Sequence, residues 1–185
     1  NMVMLYTEDA YRIPGEPYFG FMRGAYSEDE LKEMDACAAE LGMEMTGCIQ
    51  TLAHLEQILK WRAYGDIKDT SSVMLVGEPA TYELVGKMLD VWQRSLRSRR
   101  IHVGMDEAWD LGRGRFINRY GYRREFEIFN EHLAKVIGLC RQRGLNPMIW
   151  SDMYFRLGSR NGEYYDTQSV IPDDVKAMIP KEVQL

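Results

Sequence analysis

Residues 101–112 read IHVGMDEAWDLG. Ile101 to Met105 is a short, mostly apolar run of strand character, and it leads directly into two adjacent carboxylates, Asp106 and Glu107. What flanks the run decides whether it is a wet surface loop or the end of a strand in a larger sheet. Upstream, Tyr82, Val85, Met88, Leu89, Trp92 and Leu96 recur at helical spacing. Downstream, Phe126, Phe129, Leu133, Val136, Ile137 and Cys140 form the stripe of a second helix, over roughly Arg123 to Gln142, and Gly144 is placed to end it. A strand between two amphipathic helices is the repeating unit of an α/β chain.

The same alternation extends in both directions. "MVMLY" (Met2–Tyr6), "MEMTGCIQ" (Met43–Gln50) and "PMIW" (Pro147–Trp150) read as three more strands. Ser27 and Glu30 form the S-x-x-E capping box of a helix whose apolar face carries Leu31, Met34, Ala38 and Leu41, with Gly42 as its stop. "LAHLEQILKW" (52–61) and "PDDVKAMI" (172–179) read as short helices, and "EVQL" (182–185) as the start of a fifth strand. Apolar strands buried on both faces and separated by helices predict a parallel α/β fold. No glycine fingerprint follows the first strand, so a dinucleotide-binding fold has no motif support.

The chain has 185 residues and is 45% apolar, so residues 1–185 are read as one domain with a sizeable core. A net charge of −5 gives no electrostatic support for nucleic-acid binding. "RSRR" (Arg97–Arg100) is the one basic cluster and is expected to cap a helix end. No apolar run is long enough to span a membrane, and no signal peptide is visible. Cys37, Cys48 and Cys140 have no metal-binding spacing and fit a reducing compartment, so a cytoplasmic location is expected. The first residue is Asn1, not methionine, and a preceding segment is expected.

Each strand delivers chemistry at its C-terminal end. Glu8 and Asp9 follow the first strand, Gln50 and then His54 the second, Asp106 and Glu107 the third, and Trp150 and Asp152 the fourth. In a (β/α)₈ barrel the catalytic groups sit at these ends and come from several strands in turn. Taken singly, each has a bland reading. Glu8 and Asp9 suit loop positions that accept backbone N–H bonds, and His54 suits the start of a helix. Trp150 suits the core, Trp109 a loop anchor, and "FINRYGYRREF" (116–126) a solvated helix start. His102 is expected to be a hydrogen-bonded interior residue and His132 a structural one. The series, not any one member, favours an active site.

Two close carboxylates resist carrying two negative charges, which suits one as a proton donor and the other as a permanent anion. Most glycosidases separate their two carboxyl groups by about 5 Å or more across the scissile bond. An adjacent pair suits a mechanism in which the second carboxylate is not the nucleophile. The rival is a metal-dependent hydrolase with His54, His102, Asp106 and Glu107 as mixed ligands. No H-x-H or H-E-x-x-H spacing supports it, and no metal or cofactor is expected.

"HVGMDEA" (102–108) resembles the H-x-G-x-D-E signature of the family 20 glycoside hydrolases, the β-N-acetylhexosaminidases. Three further blocks resemble that family in the same order: "LYTEDAY" (5–11) its acidic segment, "IQTLAHLEQILK" (49–60) its histidine segment, and "MIWSDM" (148–153) its tryptophan segment. "RGAYS" (23–27) and "IQTLAH" (49–54) are similar to the hexosaminidase D-like branch in particular. The resemblance implies a partial (β/α)₈ TIM barrel, covering approximately strands two to five and the start of strand six. It implies an exo-acting, substrate-assisted, retaining enzyme for terminal N-acetylglucosaminides or N-acetylgalactosaminides. Glu107 would be the general acid/base, and Asp106 would orient the substrate's 2-acetamido group. His54 and Glu8 would tune Glu107 and bind sugar hydroxyls, Trp150 would wall the acetamido pocket, and Asp9 and Asp152 would bind substrate. The sequence departs from the family pattern at Gln50, where many members have a carboxylate. It departs also at Leu52 and Ala53, in place of Pro-Gly, and at Glu8, in place of aspartate. The remaining alternative is a non-catalytic carbohydrate-binding barrel fragment.

Overall fold

Four strands form one parallel sheet in the order β1-β2-β3-β4, the order in which they leave the chain. They are β1 (Met2–Glu8), β2 (Glu44–Ile49), β3 (Arg100–His102) and β4 (Asn146–Met148). The computed structural model describes residues 1–163 and 166–185. Parallel neighbours cannot be joined by a hairpin, so each connection crosses over through helices. The long ones are α1 (Glu28–Glu40), α3 (Pro79–Ser95) and α5 (Glu125–Gln142), with the single turn α2 (Glu56–Leu59) and a 3₁₀ segment (Arg62–Ile67) before α3. Two short helices, α4 (Arg115–Tyr120) and α6 (Asp152–Gly158), follow β3 and β4 in the chain, and α7 (Asp173–Met178) precedes the C-terminal stretch.

The three long helices follow their sequence signals. Ser27 Oγ accepts the Glu30 N–H at 3.2 Å, and the Ser27 N–H donates to the Glu30 carboxylate at 2.8 Å, so the capping box is complete. Every expected stripe residue of α5, from Phe126 to Cys140, is buried. On α3, Trp92 lies so close over β2 that a Cβ at Gly47 would come within 2.4 Å of its ring. Only a glycine strand position lets α3 seat there.

Several expectations are corrected. β1 is not buried on both faces: Met2, Val3, Met4 and Tyr6 are 39–49% exposed, because among the described residues no strand or helix covers its outer side. Leu41 is exposed past the end of α1. The helix expected over 52–61 shrinks to α2. Leu52 and Leu55 are instead tied to the returning chain, the Met74 N–H donating to the Leu52 carbonyl (2.9 Å) and the Leu55 N–H to the Ser72 carbonyl (3.3 Å). Arg97 to Arg100 lie past α3 and do not cap it. Arg97 pairs with Asp35 at 2.7 Å and Arg100 with Glu44, fastening the chain's approach to β3. "FINRYGYRREF" is divided by Gly121, at φ 76°, into the end of α4 and the start of α5.

At the other edge, Gln184 bridges Met148 in parallel, and the Ile149 N–H donates to the Gln184 carbonyl at 2.9 Å. The chain thus begins to pair with β4 where "EVQL" is expected to start a strand. Among the described residues no helix is long and apolar enough to cross a membrane.

Candidate functional site

All four strands run in one direction, so their C-terminal ends share one rim of the sheet. Glu8 closes β1 and Asp9 follows it. Gln50 follows β2, with His54 in the loop beyond. Asp106 and Glu107 lie four and five residues past β3, and Asp152 opens α6 two residues after Trp150.

The backbone here is unusual. Five non-glycine residues among those described have positive φ, and four stand on this rim: Glu8 (48°), His54 (56°), Met105 (73°) and Glu107 (48°). Such conformations cost on the order of 1–3 kcal/mol each and persist only where surrounding contacts impose them. They turn the chain sharply after β1, β2 and β3 and bring the polar side chains together. The early end of β3, at His102 and not Met105, has the same cause: Gly104 (φ 71°) and Met105 leave the extended region.

His54 lies between the carboxylates. Its Nε2 is 3.3 Å from Asp106 Oδ2 and 3.6 Å from Glu107 Oε2. The first distance permits a hydrogen bond, and the second is electrostatic contact only. Asp106 is the more covered of the pair, its side chain 19% exposed against 44% for Glu107. Gln50, fully buried, donates through Nε2 to Asp106 Oδ1 at 2.7 Å and to the Tyr6 hydroxyl at 3.3 Å, and its Oε1 accepts the Met105 N–H at 3.3 Å. A Cβ on Gly104 would come within 2.2 Å of Gln50 Oε1, so this approach also requires glycine.

Asp152 accepts the Glu107 backbone N–H at 3.1 Å and so fixes the turn that carries the acid. Burial raises its carboxyl above the usual aspartate range. The Glu107 N–H lowers it, and the negative charge of Asp106 adds to the rise. Trp150 is 42% exposed, its ring tilted against that of His102 with centroids 4.5 Å apart. His102 is buried and pushed down to about 4, so it is neutral above that pH, and its Nδ1 accepts the Gly104 N–H at 3.2 Å. It is the hydrogen-bonded interior histidine expected from the sequence.

Glu8 is held by the Tyr6 hydroxyl (3.2 Å) and by Arg23 (3.1 Å), and it connects to the carboxylate pair through Tyr6 and Gln50. Asp9 is buried 3.2 Å from Arg23 Nε; burial raises its carboxyl and the Arg23 charge opposes the rise. His132 is buried on α5 and also pushed down to about 4 by burial. Its Nε2 donates to the Thr51 carbonyl at 2.8 Å, which leaves Nδ1 to accept from the Tyr82 hydroxyl at 3.3 Å. Arg156 of α6 covers the Trp109 ring, so Trp109 anchors its loop. Among the described residues no group of three or more His, Cys, Asp or Glu side chains is arranged to hold a metal ion.

Tyr6 and Arg23 have no role in the strand-end series, yet each bonds directly to Glu8, and Gln50, a member of that series without an assigned role, bonds to Asp106. For Tyr6 and Arg23 the only sequence signal is membership of the blocks "LYTEDAY" and "RGAYS"; Gln50 has in addition its place at the end of the second strand.

Over most of its length this chain also aligns with solved enzymes. It superposes on the GH20 β-N-acetylhexosaminidase of Streptomyces coelicolor A3(2) with a TM-score of 0.68 at 16% identity, over 83% of this chain and 34% of that one. The fold is that of the family 20 hexosaminidases. A β-hexosaminidase of Streptomyces plicatus, solved in complex with product (GlcNAc), gives the same TM-score of 0.68 at 17% identity, over 83% of this chain and 33% of that one. In sequence, the chain is 27% identical over 162 residues to human Hexosaminidase D, covering 83% of this chain. No protein-family model matches. The chain is thus a partial domain like that of the family 20 hexosaminidases, and its relatives are glycoside hydrolases. It spans 33% of the human relative's length.

Proposed function

We propose that this chain carries the catalytic carboxylates of an exo-acting β-N-acetylhexosaminidase that works by substrate assistance with retention. The observation that carries the reading is His54 between Asp106 and Glu107, at 3.3 and 3.6 Å, on the rim where all four strands end. Glu107, the more open carboxylate, protonates the glycosidic oxygen and then activates water. Asp106, the more covered one, accepts the N–H of the 2-acetamido group. Its carbonyl oxygen then attacks the anomeric carbon as the bond to the leaving group breaks, forming an oxazolinium-type intermediate. Adjacent carboxylates suit this division, because the nucleophile belongs to the substrate.

Trp150, half exposed at the end of β4 against His102, offers an apolar face to the acetamido methyl group. Glu8, Asp9 and Asp152 bind or orient on the same rim. The substrate is a terminal N-acetylglucosaminide or N-acetylgalactosaminide. The four strands correspond to strands two to five of a (β/α)₈ barrel, with strand six beginning at Glu182–Leu185, and residues 1–185 are an incomplete catalytic domain. Three free thiols, Cys37, Cys48 and Cys140, fit the cytoplasm as its location.

In the full-length protein, Glu107→Gln is expected to abolish release of the aryl group from an aryl N-acetylglucosaminide. Asp106→Asn is expected to lose the acetamido-dependent part of the rate, and a thiazoline mimic of the intermediate to inhibit strongly. Undiminished turnover by the Glu107 variant removes the assignment, and failure of the thiazoline to inhibit removes substrate assistance.

A further inference from the structure

The assignment of Glu107 and Asp106 leaves Gln50, a fully buried polar side chain on the rim bonded to Asp106, without a task. We propose that Gln50 and Tyr6 are positioning residues that fix which oxygen of Asp106 meets the substrate. The inference rests on the hexosaminidase reading above.

The orientation of the Gln50 amide follows from its neighbours. The Met105 N–H can only donate, so the atom 3.3 Å from it is the amide oxygen. The amide nitrogen then faces the other way, with one hydrogen for Asp106 Oδ1 at 2.7 Å and one for the Tyr6 hydroxyl at 3.3 Å. Tyr6, accepting from Gln50, sends its own hydrogen to Glu8 at 3.2 Å. Every donor in this chain has a single direction, and Gln50 turns Asp106 Oδ1 toward itself. Oδ2, 3.3 Å from His54 Nε2, is thereby the oxygen turned to the substrate side, with a second lone pair to accept the acetamido N–H.

A carboxylate in place of Gln50 holds Asp106 in this way only while it is protonated. Two carboxylate oxygens at that separation repel unless a proton sits between them. An amide donates without titrating. The geometry of Asp106 is therefore insulated from the ionisable groups around it: Tyr6 and Glu8 on β1 with Arg23 beside them, His54 after β2, His102 on β3, Glu107 next in the chain, and Asp152 on α6. The strained Gly104–Met105 turn fits this role, since it delivers the N–H that sets the amide.

The test uses the full-length protein and an aryl N-acetylglucosaminide, with the ratio of variant to wild-type kcat followed from acid to alkaline pH. Gln50→Glu is expected to lower kcat at neutral pH by about 10- to 100-fold, the range for losing a hydrogen bond to a charged group, with KM changed less. The ratio should recover toward acid, where the introduced carboxyl is protonated and again donates to Asp106. Gln50→Met, which cannot titrate, should lose a similar factor at every pH, with no acid recovery. A Gln50→Glu ratio that is flat with pH, or a rise in KM alone, overturns the proposal.

If Gln50→Glu does not fold, Tyr6→Phe carries the test, because it removes only the hydroxyl that links Gln50 to Glu8 and keeps the ring. It should lower kcat by about 2- to 10-fold at an unchanged thermal midpoint, and wild-type kcat overturns the proposal. Glu107→Gln separates the two levels. Turnover by that variant defeats the hexosaminidase reading itself; an inactive Glu107→Gln beside normal Gln50 and Tyr6 variants defeats only this inference.

Discussion

At the residue scale, the site depends on a glycine as much as on its acids. Gly104 stands at φ 71°, and a Cβ there would press to 2.2 Å from Gln50 Oε1. Gly104→Ala meets both obstacles at once: a left-handed backbone, costing about 1–2 kcal/mol, and displacement of the amide that holds Asp106. The expected outcome is a lower thermal midpoint together with a fall in kcat/KM larger than the stability loss explains. Gly138 on α5 is the contrast, since it is helical and a Cβ there meets nothing within 4 Å. Gly138→Ala should stabilise by about 0.5–1 kcal/mol and leave activity alone. Thermal denaturation and steady-state kinetics on the two variants check both statements; equal behaviour of the pair would defeat the argument. The carboxylates themselves were legible in the sequence, because two acids after a strand, in series with others, need no long-range information. The place of Gln50 at a strand end was legible too, but its task was not: its amide reads as a generic polar group until the fold brings Asp106, 56 residues later, to 2.7 Å.

At the scale of elements, helix α5 supports the site through a histidine. The Thr51 carbonyl, three residues before His54, accepts from His132 Nε2, and His132 is wedged against Tyr82 of α3. Burial pushes both His132 and His102 down to about 4. Between the ordinary histidine value of about 6.5 and that of the folded state, the unfolded chain binds more protons. Stability is therefore lost as pH falls through that window, by up to about 3 kcal/mol for each histidine. Asp9, Asp69 and Asp152, raised by burial, act in the opposite sense, because the folded chain takes up their protons first. Denaturant midpoints followed from neutral to acid pH should fall, and His132→Gln, which keeps a donor for Thr51, should fall less steeply. An identical slope in the variant would show that His132 is not a source of the acid sensitivity. The elements themselves divide clearly by legibility. α1, α3 and α5 were readable because their apolar stripes, and the capping box of α1, are local. The 52–61 segment was not, because its conformation is set by backbone bonds to Ser72 and Met74, and these override its helical composition.

At the scale of the whole molecule, the sheet has two unlike margins. Past β4, Gln184 has begun a parallel pairing; beyond β1, Met2, Val3, Met4 and Tyr6 stand 39–49% exposed in a row. The parallel order was legible from the strand–helix alternation; the apolar run of β1 by itself reads as buried, but the partial barrel that the family resemblance implies already leaves two sheet edges and part of the core exposed. A long apolar edge strand with unpaired backbone groups is a template for association. The 185-residue chain by itself is therefore expected to self-associate with rising concentration and to hydrolyse no N-acetylhexosaminide, since it spans about a third of its relatives' length. Val3→Lys should weaken the association, because a charge on an edge strand opposes edge-to-edge pairing. In the full-length protein the same substitution should instead destabilise, by the roughly 1–3 kcal/mol of an unpaired charge placed where a neighbouring strand packs. Sedimentation of the short chain and thermal denaturation of the long one give the two readings. A short chain that stays monomeric, or a long one indifferent to Val3→Lys, would mean that β1 has no strand beside it and that the sheet does not continue into a barrel on that side.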